Sequence, residues 1–293
     1  MKSEIQAPKI LQEKCIGCEL CMSVCPAFVL EMRDGKAAVV RNTWCIGCDH
    51  CGAVCPTEAI LHQGKGDEKE RRPEVRSGPI VESLVGLFTE RRSLRVYKKE
   101  PIPEGILNQV LEAGGYAPTG SNSQNVHYVV LTAPEQIDQL REMTLGFYDR
   151  IFCRVRSGFG RMILSLVAGQ RTIEYLRDSL PKFEFANEKR KEGYDRLFYH
   201  APVIMVTHAE AWDSSSAFNC SVALYQASLM AQALGLGCCF NGILVNAVNH
   251  DRSLKKWVGV PAGHRCYSAM TLGYPRVKYE RGVNRRPANV TWR

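Results

Sequence analysis

The chain has 293 residues, a formal net charge of +8 and 45% hydrophobic residues, the composition of about two packed domains rather than of a disordered chain. Met1 to Lys14 carries Lys2, Glu4, Lys9, Glu13 and Lys14 with no apolar run among them, which excludes a secretory signal or a membrane span there and leads us to expect a cytoplasmic protein. Thirteen cysteines, an odd number, point to metal or redox chemistry rather than to a disulfide scaffold.

Eight of the thirteen fall between Cys15 and Cys55. Cys15, Cys18, Cys21, Cys25 and Pro26 follow C-x2-C-x2-C-x3-C-P, and Cys45, Cys48, Cys51, Cys55 and Pro56 repeat that spacing 30 residues later. Soft thiolates in so short a run suit iron–sulfur clusters; zinc sites more often set two Cys-x-x-Cys pairs far apart. The stretch from residue 10 to about 62 resembles the bacterial two-cluster ferredoxins. The resemblance implies that Cys15, Cys18, Cys21 and Cys55 hold one [4Fe-4S] cluster and that Cys45, Cys48, Cys51 and Cys25 hold the other. A unit of about 55 residues buries little apolar surface, so the clusters should also staple it.

The domain boundaries expected from composition are 1–62 for the ferredoxin-like part, 63–79 for a linker rich in charge, Gly and Pro, and 80–293 for a second domain. In that domain helical spacing covers about 80–90, starting with Ile80, Val81, Leu84 and Val85, and then 103–115. A strand is predicted at His127 to Thr132, helical stretches over about 134–180, and a β-branched strand at Val203 to His208. A long helix follows, roughly Ser216 to Leu234, then a closing strand from Cys266 to Leu272 and a basic tail. Ser214 to His250 is a run of 37 residues without Asp, Glu, Lys or Arg. Asn219, Gln226 and Gln232 along the helix, and Gly235 and Gly237 just after it, argue against a membrane helix. A helix buried on all sides where two subunits pack fits better, so a homodimer is expected.

Three segments of this domain together suit a flat, phosphorylated ligand. Arg91, Arg92, Ser93 and Arg95 offer guanidinium groups and a hydroxyl at a helix end, able to grip phosphate. Ala117 to Gln124 is a polar loop whose amides both donate and accept. Gly235 to Gly242 follows the long helix, and its glycines allow backbone N–H groups to approach a ring closely. Alone, each has a bland reading: a solvated basic run, an Asx-rich turn, a helix cap before a core strand.

In this order the three segments resemble the FMN-dependent nitroreductase family, over residue 80 to the end. The resemblance implies an α+β fold, a central antiparallel-type sheet wrapped by helices, in an intertwined dimer. It implies that Arg91, Arg92, Ser93, Arg95 and Arg286 bind the FMN phosphate and ribityl chain. Ser121, Asn122 and Gln124 would contact ring and ribityl, and Asn241 and Gly242 would face the flavin N5 with Cys239 and Phe240 beside them. The chain departs from the family at the N5 segment, with Phe240-Asn241-Gly242 where Pro-x-Glu-Gly is common, and Arg276 or Arg285 competes for the role given to Arg286.

Joined, the two halves imply an oxidoreductase that moves electrons from an external low-potential donor, a ferredoxin or NAD(P)H, through two [4Fe-4S] clusters to FMN and on to a nitroaromatic, quinone or activated alkene. The competing expectation is an electron carrier or redox sensor that serves only protein partners. No G-x-G-x-x-G follows a strand. A substrate lid is expected within Leu145 to Tyr199, where FEFANEKRKEGYDRLFY reads as irregular; Phe147, Tyr148 and Tyr199 there are able to stack on a planar substrate but read first as ordinary packing, and no catalytic residue is assigned. Cys153, Cys220, Cys238 and Cys266 read as buried thiols, and His127 and His208 as core histidines. Two clusters lower the +8 to about +4 and a flavin phosphate by about two more, so the basic composition gives no case for nucleic acid.

Overall fold

The computed structural model describes residues 7–61, 79–120 and 123–293. The stretch read as a linker, apart from residue 79, lies outside them, as do Ser121 and Asn122. Two compact units divide the chain: Met1–Arg92 together with Arg276–Arg293, and Ser93–Pro275. This division falls beyond the boundary at 80 expected from composition, and it returns the C-terminal tail to the cysteine-rich unit.

The first unit is built on a repeat that the backbone shares. Strand β1 (Lys9–Ile10) pairs antiparallel with β4 (Ile60–Leu61) and closes the chain around helices α1 (Leu20–Val24) and α2 (His50–Val54). Between the helices β2 (Leu30–Arg33) and β3 (Lys36–Val39) form a hairpin. Its two-residue turn, Asp34-Gly35, has φ of 50° and 74°, the left-handed pair that matches strand twist. Gly17 and Gly47 (φ 70° and 65°), Glu19 and Asp49 (61° and 59°) and Phe28 and Glu58 (53° and 54°) repeat the same left-handed positions. Gly17 is obligatory for a second reason, since a Cβ there would lie 2.3 Å from the Gly35 carbonyl oxygen. Helix α3 (Pro79–Glu90) completes the elements of this unit.

The second unit is a four-stranded antiparallel sheet with helices around it. Its elements are α4 (Glu104–Gly115), β5 (His127–Leu131), α5 (Pro134–Arg156), α6 (Gly158–Ala168), α7 (Gln170–Lys191), β6 (Val203–Glu210), α8 (Ser216–Ala233), β7 (Gly237–Phe240), α9 (Gly242–His250), α10 (Arg252–Val258) and β8 (His264–Gly273). The strands lie in the order β5-β6-β8-β7. Side chains alternate across a strand, so Val203 and Met205 of β6 enter one hydrophobic core, with Leu224 and Ala227 of α8, while Ile204 and Val206 enter the other, with Phe198 and Leu244. That double burial is why β6 is apolar at nearly every position. The sheet and its helical layers are the α+β arrangement expected.

The helical stretches expected over 134–180 are three helices, interrupted at Ser157 and at Gly169, whose φ is +79°. Other expectations need correction. The segment read as irregular, FEFAN onward, is helical to Lys191. Its strong helix formers set the backbone, and only Ile173 of α7 is buried, so the apolar period that would have revealed it is missing. Cys153 is exposed on α5, while Cys220, Cys238 and Cys266 are buried. His208 is buried but His127 is exposed. Within one chain α8 is not covered on all sides: Asn219, Cys220, Ala223, Leu224 and Ala227 are buried, while Phe218 and Tyr225 are 61% and 42% exposed. Among the described residues, no helix is long and apolar enough to cross a membrane.

Candidate cofactor sites

In the first unit the chain exchanges its fourth cysteines. One recess is lined by Cys15, Cys18, Cys21 and Cys55, the other by Cys45, Cys48, Cys51 and Cys25. The α1 and α2 turns place the cysteines that precede Pro26 and Pro56 across the unit from their own runs. Electrostatics shows the same grouping. Burial, and then Cys18, Cys55 and Cys15, push the Cys21 thiol up to about 12. Burial, Cys25 and Cys48 push Cys51 well above the ordinary thiol range. Burial also raises Cys45, against a backbone N–H bond from Gly47, with Cys48 and Cys25 adding to the rise. Cys21, Cys45 and Cys51, buried beside other thiols, resist ionisation by themselves, and a bound cation favours their thiolates.

Backbone amides already point at the sulfurs. Val29 and Ala59 donate to Cys25 Sγ and Cys55 Sγ at 3.5 and 3.2 Å, the same bond in each half of the repeat, and Ala37 donates to Cys15 Sγ at 3.4 Å. Such bonds stabilise anionic sulfur and tune a bound cluster. The donor set, all thiol and in two fours, fits two [4Fe-4S] clusters.

The C-terminal tail reaches this same unit through a residue that sequence reasoning missed. The Arg281 guanidinium donates to the carbonyls of Cys55 and Gly52 and lies 3.2 Å from Glu58 Oε1, while its backbone N–H donates to Ala53 O at 3.3 Å. Arg286 and Arg285 are exposed farther along the tail, and Arg276 is exposed where it begins. Arg92 is buried in this unit, its guanidinium donating to Arg91 O at 3.0 Å and Arg281 O at 3.4 Å. Arg91 is half-buried.

In the second unit the first and third segments lie together. Ser93 bridges Cys238, and Leu94 N–H donates to Cys238 O at 2.9 Å. The approach depends on Gly237, where a Cβ would stand 2.5 Å from Leu94 Cδ2. Tyr97, buried two residues beyond Arg95, shares a hydrogen bond of 2.7 Å with Thr271 Oγ1, and Thr271 donates to Cys239 O at 3.3 Å. Arg95 donates to Tyr199, whose hydroxyl burial and neighbouring Cys239 push up to about 12 against the pull of Arg95 and Arg196. Tyr199 thus has a polar partner and does more than pack.

Tyr199 and His200 hold φ of 58° and 53°, costly for residues with a side chain. Asp195 fixes them. Its carboxylate accepts from the N–H groups of Leu197 and Phe198 at 3.0 and 2.9 Å and of His200 at 3.0 Å.

Asn241, buried, caps α9 by accepting Leu244 N–H at 2.9 Å, donates its side-chain amide to Leu197 O at 2.7 Å and spends its backbone N–H on Ala269 O at 2.8 Å. Gly242 opens α9, where helical N–H groups lack intrahelical acceptors. Cys239 is buried and Phe240 is 38% exposed. Of the polar loop, Gln124 is exposed, at φ 46°, with its N–H on Thr119 Oγ1 at 3.0 Å. Asn219 of α8, another residue that sequence reasoning did not place in the site, anchors this loop: Oδ1 accepts Gly120 N–H at 2.9 Å and Nδ2 donates to Asn125 Oδ1 at 3.0 Å. Phe147 belongs to the core, and Tyr148 donates to Ile243 O at 3.0 Å.

Compared with known proteins, residues 14–59 match the 4Fe-4S dicluster domain and residues 88–274 match the nitroreductase family. The chain is 27% identical over 203 residues to an NADH dehydrogenase of Thermus thermophilus, covering 67% of this chain and 88% of the relative. It is 25% identical over 196 residues to a putative NADH dehydrogenase/NAD(P)H nitroreductase of Archaeoglobus fulgidus, covering 67% and 87%. Among solved structures, a nitroreductase with bound FMN from Bacteroides fragilis superimposes with a TM-score of 0.49 at 22% identity, over 73% of this chain and 96% of that one. The chain belongs to the nitroreductase family and carries a 4Fe-4S dicluster domain ahead of the family's own.

Proposed function

We propose that this protein is an FMN- and iron–sulfur-dependent oxidoreductase that takes electrons from a low-potential donor, a ferredoxin or NAD(P)H, and delivers them by way of two [4Fe-4S] clusters and FMN to a small organic acceptor of the nitroaromatic, quinone or activated alkene class. The observation that carries the reading is the exchange of fourth cysteines between two sets of four thiols, in a chain whose remainder belongs to a flavin-using reductase family. Clusters supply single-electron steps, and a flavin accepts electrons singly or as a hydride.

The chain's own residues bind and orient. Cys15, Cys18, Cys21 and Cys55 are the ligands of one cluster and Cys45, Cys48, Cys51 and Cys25 those of the other. Ser93 and Arg95, with Arg91, Arg92 and Arg286, grip the FMN phosphate and ribityl chain; the bonds of Arg92 to the Arg91 and Arg281 carbonyls give it the added task of shaping that turn. Ser121, Asn122 and Gln124 contribute from the polar loop. At the ring, Gly242 offers the helix-end amide, with Cys239 and Phe240 beside it, whereas Asn241 positions α9. The exposed Phe218 and Tyr225 on the charge-free helix support a homodimer built on α8.

Protein purified without oxygen should contain eight irons and one FMN per chain (about, by the two-cluster assignment) and should turn over a nitroaromatic with reduced ferredoxin or NAD(P)H. Full cofactor content with reduction of protein partners alone would assign it instead to electron carriage, and a chain without flavin would overturn the reading.

A further inference from the structure

The second unit holds a cluster of metal-ligating side chains that the flavin chemistry does not use. His127 begins β5, His208 and Glu210 end β6, and His264 begins β8. The register pairs His127 with His208 and Glu210 with His264. Residues directly opposite share a face, and so do residues two apart on one strand. All four side chains therefore stand on one face at one end of the sheet.

A β-bulge makes this possible. Up to Thr207, which pairs with Ser268, the register would place Arg265 opposite Glu210; the shift between Thr207 and His208 pairs His208 with Cys266 and Glu210 with His264 instead. One inserted residue exchanges the faces of everything beyond it. It puts an imidazole beside the carboxylate where an unshifted ladder would put a guanidinium.

The local hydrogen bonds orient these groups as a metal site requires. One ligand atom each from His127, Glu210 and His264 lie within 4.8 Å of one another. His264 Nε2 faces Glu210 Oε1 at 4.0 Å, while its other nitrogen, Nδ1, is 3.0 Å from His208 Nδ1. Asn125 Nδ2 donates to the remaining carboxylate oxygen, Glu210 Oε2, at 3.3 Å. The His127 and His208 rings stack at 5.2 Å, with 4° between their planes. Metal-ligating histidines characteristically use their second nitrogen in a hydrogen bond that fixes tautomer and ring orientation, which is the relation of His208 to His264.

We propose that His127, Glu210 and His264 bind one divalent transition-metal ion of the zinc type, with His208 as the positioning residue behind His264. Two imidazoles and one carboxylate form a three-ligand set that leaves a coordination position open, and the exposed His127 turns that position toward solvent. Glu210 and His264 are partly covered, at 33% and 16% side-chain exposure. Lys255 donates to the His264 carbonyl oxygen and so holds the backbone rather than the ring.

The test uses the full chain with its iron intact, dialysed anaerobically against micromolar ZnCl2, with zinc and iron counted per chain and the zinc edge examined by X-ray absorption. The expected result is one zinc per chain in nitrogen and oxygen coordination that includes two imidazoles, at unchanged iron. His127→Ala, at an exposed position that packing tolerates, should weaken zinc binding at least tenfold, and His127→Ala/His264→Ala should abolish it. His208→Ala should weaken it about 10- to 100-fold and His208→Asn should recover part of that loss, which a merely structural role would not produce. Zinc bound equally by the double variant, sulfur in its coordination sphere, iron lost as zinc enters, or no zinc bound at all would each overturn the proposal.

Discussion

In the first unit the buried core includes Cys21, Cys25, Cys51 and Cys55 beside Val29, Leu30 and Ile60, whereas in the second it is Phe198, Ile204, Leu244, Met205 and Met270 around a four-stranded sheet. The difference decides what each folds with. Four strands and their helices bury enough hydrocarbon to fold on hydrophobic transfer alone. Two- and four-residue strands and two five-residue helices cannot, and burial holds two of their thiols, Cys21 and Cys51, off ionisation, Cys21 up to about 12. Binding metal there is folding, because the ligand geometry exists only in the folded chain.

The largest expected effect follows directly. Removing iron with a chelator under anaerobic conditions should unfold residues 7–61 and leave the second unit folded; hydrogen exchange should lose protection in α1 and α2 while β6 and β8 keep theirs. Simultaneous loss in both would break the comparison. Conversely, Phe198→Ala empties a fully buried position of the second unit and should cost about 3–5 kcal/mol there, with iron per chain unchanged. Denaturation followed by tyrosine and tryptophan fluorescence, alongside iron counting, reads both at once.

Arg281→Ala probes the tail's hold on the first unit. It removes charge-assisted bonds to the Cys55 and Gly52 carbonyls and the ion pair with Glu58, a loss of about 1.5–3 kcal/mol. The temperature of iron release should fall, and protease should cleave the tail sooner, without change in the melting of the second unit. A tail that stays protected would show that its other contacts suffice.

How much of this was legible in sequence depended on whether the signal was local. The cysteine spacing announced the eight cluster ligands because each run is short and the repeat is in phase, and the resemblance to two-cluster ferredoxins implied the exchange of the fourth cysteines. Strands β5, β6 and β8 and helices α4 and α8 were legible from periodicity and β-branching. Helix α7 was hidden because an exposed helix has no apolar stripe to read. Arg281 was missed because its partners, Gly52, Cys55 and Glu58, lie more than 200 residues away, and nothing in a basic tail ranks one arginine above another. The histidine set was scattered over β5, β6 and β8 and became one group only through a register and a bulge. Tyr199 read as packing because its left-handed backbone, fixed by Asp195, has no glycine to mark it.

The smallest effect tests a single side chain inside the second unit. Asn219 is fully buried and ties α8 to the polar loop through Gly120 N–H, with Ser123, Asn125 and Ser215 around its amide nitrogen. Asn219→Ala leaves the partly buried Gly120 N–H without its acceptor, a cost of about 1–2 kcal/mol. The fold should survive, since the neighbouring Ala223, Leu224 and Ala227 still pack. Loosening the loop that ends in Gln124 should weaken FMN retention about tenfold, the equivalent of 1.4 kcal/mol, measured by flavin fluorescence on dilution. Iron content should not move, because none of these bonds touches the cysteine-rich unit; a parallel loss of iron would mean that the loop and the clusters are coupled and that the two units do not behave as separate parts.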